Sequence, residues 1–222
     1  MRALRVLVVL SLVAVQIAAQ SAAQVLARLD DVAPKFRTAT AKVTWIDYQA
    51  AIKTEETQSG AITVKRYSRT KVHYVVRLAD PDVYGVALRD NTVERYTPRN
   101  NLIQEYDIRR YRDLVQRFML LGFGMTGREL ANSFGISDVR AEAVRSQKAT
   151  HLDLTPKSPD LLHQVNHIEL WISDQLGCAV QQKFHYPDGS YRLVTFTDLK
   201  FNPKVDDSAM EFPKSAKRER VY

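Results

Sequence analysis

Cysteine is nearly absent. Cys178 stands alone, so no internal disulfide can form, and no cysteine spacing suits zinc. It reads as a small apolar residue packed on a strand. Catalytic signatures are missing too. There is no G-x-S-x-G, no H-E-x-x-H, no phosphate loop and no pairing of a nucleophile with a base, so an enzyme is the weakest function class. His73, His151 and His185 are isolated within strand-like stretches. His163 and His167 are four apart, a spacing that could hold a metal on a helix. The segment 165–172 (VNHIELWI) instead alternates like a strand, and Ser158-Pro159 precedes it, so neither metal nor cofactor is expected.

The charge excess is small. Lysine and arginine number 32 against 25 acidic residues, a net charge of +7. Without Arg2 and Arg5 the excess falls to +5. The densest basic spots are Arg109, Arg110 and Arg112 and the tail from Lys214 to Arg220. Tyr111 alone falls within the first, and neither is interleaved with aromatics in a nucleic-acid pattern, which argues against nucleic acid. A spread basic surface suits anionic headgroups or an acidic partner.

What is present begins with an address. Arg2 and Arg5, then the apolar run Val6–Ile17, then the small residues around Ala19–Ala23, make the three parts of a secretory signal. Cleavage is expected after Ser21 or Ala23, giving a signal peptide at 1–23 and a single domain at 24–222. The rival reading is an uncleaved anchor. No cysteine follows the apolar run, so a lipoprotein precursor is excluded, and export in soluble form is expected.

Residues 24–36 read as an amphipathic helix, with Val25, Leu26, Leu29, Val32, Ala33 and Phe36 on one face and Pro34 near its end. The period then changes to two. Ala39, Ala41, Val43 and Trp45 alternate with threonines and Lys42, the pattern of a half-buried strand. A turn is expected at Gln58–Gly60, and short strands follow at close spacing to Asp107. The meander resumes after residue 138 and includes a hairpin at Pro187–Ser190, where Asp188-Gly189 suits a tight turn. The expected fold is mostly β with a few helices, about ten or eleven antiparallel strands curled to limit their edges.

One stretch interrupts the strands: Asp107–Met125, DIRRYRDLVQRFMLLGFGM. Ile108, Tyr111, Val115 and Phe118 share one helical face, and Phe118–Met125 is apolar all round but too short to span a membrane. It reads either as a core helix or as a lid over an apolar cavity.

Several pieces in order resemble the LolA family of periplasmic lipoprotein carriers. They are Ala27–Val32 before Phe36 in the first helix, the strand Gly60–Arg66 (GAITVKR), the run Phe118–Leu121 (FMLL), the strand His151–Lys157 (HLDLTPK), and the close Phe196–Asn202 with Phe212-Pro213. The resemblance covers most of the chain from Val25 onward. The sequence departs from the family's pattern at Tyr67, where proline is frequent. The resemblance implies a half-open antiparallel β-barrel closed by a helical lid over a cavity for acyl chains. It implies a periplasmic chaperone with no catalytic residue, working as a monomer. Its cargo would be acylated lipoproteins, taken from an inner-membrane ATP-driven exporter of the Lol type and passed to an outer-membrane acceptor. Leu29, Leu114, Phe118, Met119 and Leu121 would face the cavity from the lid, with Val43 and Trp45 from the sheet. Arg66 would latch the closed lid, facing Leu29, Leu121 and Gly122. Rivals are a lipid or glycolipid shuttle and a lipid-sensing domain on the same scaffold.

Overall fold

A computed structural model describes residues 22–68, 71–111, 115 and 121–221. Twelve strands are present among them: β1 (Thr38–Gln49), β2 (Thr54–Arg66), β3 (Val72–Asp80), β4 (Tyr84–Arg89), β5 (Thr92–Thr97), β6 (Leu102–Asp107), β7 (Phe134–Val144), β8 (Gln147–Pro156), β9 (His167–Ser173), β10 (Ala179–His185), β11 (Tyr191–Phe201) and β12 (Lys217–Val221). They form one sheet in the order β12-β6-β5-β4-β3-β2-β1-β11-β10-β9-β8-β7. Two meanders, β1–β6 and β7–β11, are stitched together where β1 pairs with β11 from Ala39 opposite Phe201 to Tyr48 opposite Tyr191. Every pairing is antiparallel except β12 on β6. The sheet does not close, so β12 and β7 remain edges. The architecture is a half-open, almost wholly antiparallel sheet with helices over its concave face.

Alternation decides which side chains enter the concavity. On β1, Ala39, Ala41 and Val43 are buried, and Trp45 packs partly buried on the same core. Helix α1 (residues 22–32) lays Val25 and Leu29 on this core, at a spacing of four, with Asp30 and Asp31 exposed. The chain leaves it through a 3-10 turn, Ala33–Lys35, where Pro34 lacks the N–H a continuing helix would need. Helix α2 (Gly127–Ser133) starts with a reciprocal cap: Glu129 N–H donates to Thr126 Oγ1 (3.1 Å) and Thr126 N–H to Glu129 Oε2 (2.9 Å). Helix α3 (Pro159–Leu162) buries Leu161. No helix among the described residues is long and apolar enough to cross a membrane.

The outer face is covered where the C-terminal segment crosses it. Met210 and Phe212 pack with Val75, Ala87, Ile103 and Ala216 in a second small core. Arg77 donates to the carbonyls of Ala209 (2.9 Å) and Glu211 (2.8 Å), tying the segment to β3.

The expected antiparallel strands are present, two other expectations need correction, and the basic tail is a twelfth strand. Its five residues are all exposed, so no apolar period announces it; backbone pairing with β6 and the Arg218 guanidinium, shared between Glu94 and Glu105, hold it in place. The turn expected at Gln58–Gly60 is a bulge inside the continuous β2. There a Cβ on Gly60 would lie 2.0 Å from the Arg77 carbonyl oxygen, so glycine serves close backbone approach rather than a reversal. Finally, residues 121–124, in the apolar part of the 107–125 stretch, are not helical. Residues 121–124 form a turn, with Gly122 and Gly124 at φ of 77° and 89°. Tyr111, expected on a buried face, is exposed in the 3-10 turn Arg109–Tyr111. Leu114, Phe118, Met119 and residues 1–21 of the expected signal peptide lie outside the described residues.

Candidate functional site

The concave face encloses a cavity of about 460 Å³, within the range of small-ligand sites. Its walls are side chains that alternate inward from five strands: Val43 and Trp45 from β1, Ile62 from β2, Tyr74 and Val76 from β3, Phe184 from β10, and Val194 and Phe196 from β11. Val115 and Phe123 close it from the interrupting stretch. Phe123 meets Phe196 edge-on, with centroids 4.9 Å apart at 85°. That geometry places the positive ring edge against the negative face.

One end of the cavity is polar. Arg192 lies over the Trp45 ring at 5.0 Å and donates from Nε to Asp47 Oδ1 (2.6 Å) and from Nη2 to Asp47 Oδ2 (2.9 Å). Trp45 Nε1 and the Tyr84 hydroxyl both donate to Gln58 Oε1, at 2.9 and 2.6 Å. Gln164 and Tyr186 also line the cavity, and the buried Gln182 lines it beneath the roof. The cavity is therefore amphipathic: apolar walls, and a charged but internally paired mouth.

The roof is a turn held by its own carbonyls. Leu121 O accepts from Gln182 Nε2 (2.5 Å) and Gly122 O accepts from the Ala179 N–H (2.8 Å), which fix the turn to β10. Gly124 O accepts from Arg66 Nη2 (2.8 Å), while Arg66 Nη1 donates to Ala33 O (2.8 Å) at the end of α1. One guanidinium thus bridges the two parts of the roof. Its rigid fork of donors allows this; a lysine ammonium would have no fixed geometry for it. The Arg66 guanidinium also lies over the Phe36 ring at 5.2 Å. Burial pulls its pKa below the ordinary arginine value, and its Nε has no partner among the described residues. Beside it the Tyr74 hydroxyl is likewise unpaired among them, and burial drives that phenol above its usual range. The arrangement around Arg66 is tight. A Cβ on Gly124 would lie 2.3 Å from Arg66 Nη2, so only glycine lets the guanidinium approach this carbonyl.

The sequence-derived residues divide by position. Val43 and Trp45 line the cavity. Leu29 and Leu121 are buried in the surrounding core, at 3% and 0% exposure, but do not line it. Arg66 reaches the carbonyls of Ala33 and Gly124 rather than positions 29, 121 and 122. Gly122 is occupied with Ala179, because the turn presents successive carbonyls in different directions. Phe123, Tyr74, Phe184 and Arg192 were not among the expected residues, although the last three sit at inward positions of strands legible from alternation. His163 ends α3 and is exposed. Among the described residues one group of side chains has the donors for a metal, His167, Glu169 and His185 on the sheet's outer face.

No protein-family model matches the chain, and no curated protein matches it. Solved structures do. MucB superposes with a TM-score of 0.56 at 14% identity, covering 88% of this chain and 64% of its own, so the chain spans just under two thirds of MucB. An uncharacterized conserved protein from Thermus thermophilus gives 0.55 at 14% identity, covering 90% of this chain and 99% of its own. A LolA superfamily protein from Nitrosomonas europaea gives 0.41 at 12% identity, covering 86% and 97%. At these identities the likeness is one of fold.

Proposed function

We propose that this chain is a periplasmic carrier that shields the acyl chains of lipoproteins in its concave cavity. It would receive cargo from an inner-membrane ATP-driven exporter and deliver it to an outer-membrane acceptor, as a monomer without cofactor or catalytic step. The observation that supports this most is a largely apolar cavity whose roof is bridged by Arg66, which joins the end of the first helix to the roof turn through two backbone carbonyls while Gln182 and the Ala179 N–H hold the turn to β10. Burial of acyl methylenes contributes about 0.8 kcal/mol each, so capture is easy and release is the harder step. A roof with two positions solves release if the empty closed form is favoured. Leu114, Phe118 and Met119 would complete the roof, with Gly122 helping to set its turn.

The test is chain-length dependence. Fluorescent acyl probes differing by one methylene should bind with affinities differing about fourfold per methylene until the cavity is full. Affinity indifferent to chain length would overturn the reading. A second reading has some support. MucB has been solved in complex with MucA, at a TM-score of 0.51 to this chain, so a similar scaffold also holds a protein. A sensor that binds lipid or a polypeptide, or a lipid or glycolipid shuttle, would use the same concavity.

A further inference from the structure

The outer face of the sheet carries a group of side chains that the cavity does not use. β9 and β10 pair antiparallel with His167 directly opposite His185 and Glu169 opposite Lys183. Side chains at 167, 169, 183 and 185 therefore share the face away from the cavity, while Phe184, opposite Ile168, points into it. The two imidazoles stack with centroids 3.9 Å apart at 12°. One nitrogen of each imidazole and one Glu169 oxygen all lie within 4.8 Å of one another.

Three further details suit a cation. His185 Nε2 and Glu169 Oε1 are 2.8 Å apart and share a hydrogen bond. A tetrahedral metal with bonds of about 2.0–2.1 Å holds two ligand atoms about 3.3 Å apart, so it could replace that shared proton with a shift of roughly half an ångström, and the His167 ring would turn out of its stack to aim a nitrogen at the ion. The other carboxylate oxygen, Oε2, is 3.1 Å from Nε2 of His151, whose ring is buried and whose Nδ1 faces the Asp138 carbonyl at 3.2 Å. Glu169 is thus oriented from behind, as outer partners orient metal-binding carboxylates. The His185 and Glu169 side chains keep 22% and 20% exposure, which leaves an entry path. One group opposes binding: Lys183 Nζ lies 3.7 Å from Glu169 Oε1, although it also rests over the Tyr191 ring at 4.6 Å, a place to which it could withdraw.

We propose that His167, Glu169 and His185 form a binding site for a borderline divalent cation of the zinc class, which clamps β9 to β10 behind the cavity wall. Two neutral imidazoles and one carboxylate are the donor set such ions take when a fourth position stays open to water. The site is independent of the carrier reading, since no cavity-lining residue belongs to it.

The experiment is calorimetric titration of zinc into the untagged, chelator-treated protein, with thermal unfolding in parallel. One zinc per chain should bind. His167→Ala, His185→Ala and Glu169→Gln should each weaken binding by about tenfold or more. Lys183→Met should tighten it by removing the competing cation, and His163→Ala should leave it unchanged. A hundredfold excess over Kd should raise the unfolding midpoint by roughly 5–10 °C in the unsubstituted protein. Binding at several sites, no saturable binding, or affinity unchanged in the His167, His185 and Glu169 variants would overturn the proposal. The metal-free unfolding midpoint of each variant separates lost ligation from lost folding.

Discussion

Replacing Arg66 by leucine probes the roof most sharply. The side chain makes two hydrogen bonds from a charged donor to backbone carbonyls, at Ala33 and Gly124. Such bonds contribute about 1.5–3 kcal/mol each. Part of this is offset by the cost of burying the guanidinium, the same burial that pulls its pKa down. A net loss of about 3 kcal/mol in the closed empty form shifts the closed-to-open ratio roughly a hundredfold. Arg66→Leu should then bind a fluorescent acyl probe as well as or better than the unsubstituted protein, and release it to acceptor vesicles far more slowly, by up to about a hundredfold. Arg66→Lys should fall between, keeping charge but not the two-pronged geometry. Transfer by Arg66→Leu at the unsubstituted rate would refute the latch.

Gly124→Ala should reproduce much of that defect, because a Cβ there meets the guanidinium and φ of 89° strains any side chain. Its effect on transfer should shrink in the Arg66→Leu background, a coupling read by a double-mutant cycle. Val194→Trp should fill the cavity and abolish probe binding while circular dichroism shows a retained sheet. Gly60→Ala should lower stability by about 1–3 kcal/mol in denaturant titration, since its methyl group meets the Arg77 carbonyl across the bulge. Cys178 should resist thiol reagents at pH 8 until the protein unfolds, because burial pushes its thiol up to about 12. The unfolded thiol ionises near its ordinary 9.0 while the folded one stays protonated, so this group's contribution to stability falls as pH rises from about 9 to about 12.

Much of the fold was legible because burial on one face writes itself as a period. The alternation of Ala39, Ala41, Val43 and Trp45 located β1 and its inward side chains, and Asp188-Gly189 located the β10–β11 hairpin, where Gly189 has φ of 84°. What stayed hidden depends on backbone contacts. β12 carries no apolar pattern, since pairing and ion pairs hold it. Gly60 looked like a turn because close approach to the Arg77 carbonyl selects the same residue. Arg66 stood out only through the family resemblance, and its acceptors, Ala33 O and Gly124 O, have no side-chain signature. In the sequence His151 and His185 stand isolated and His167 is spaced with His163 instead, because His151, Glu169 and His185 meet only once the strands β8, β9 and β10 are in register.

The carrier function is tested most directly by native mass spectrometry of the protein purified from the periplasm of its own host. Acyl-chain carriage predicts a fraction bound to a single acylated polypeptide, released when a competing acyl probe is added. A protein that emerges empty and also fails to take up the probe would contradict it, and would make the roofed concavity an ordinary part of the core.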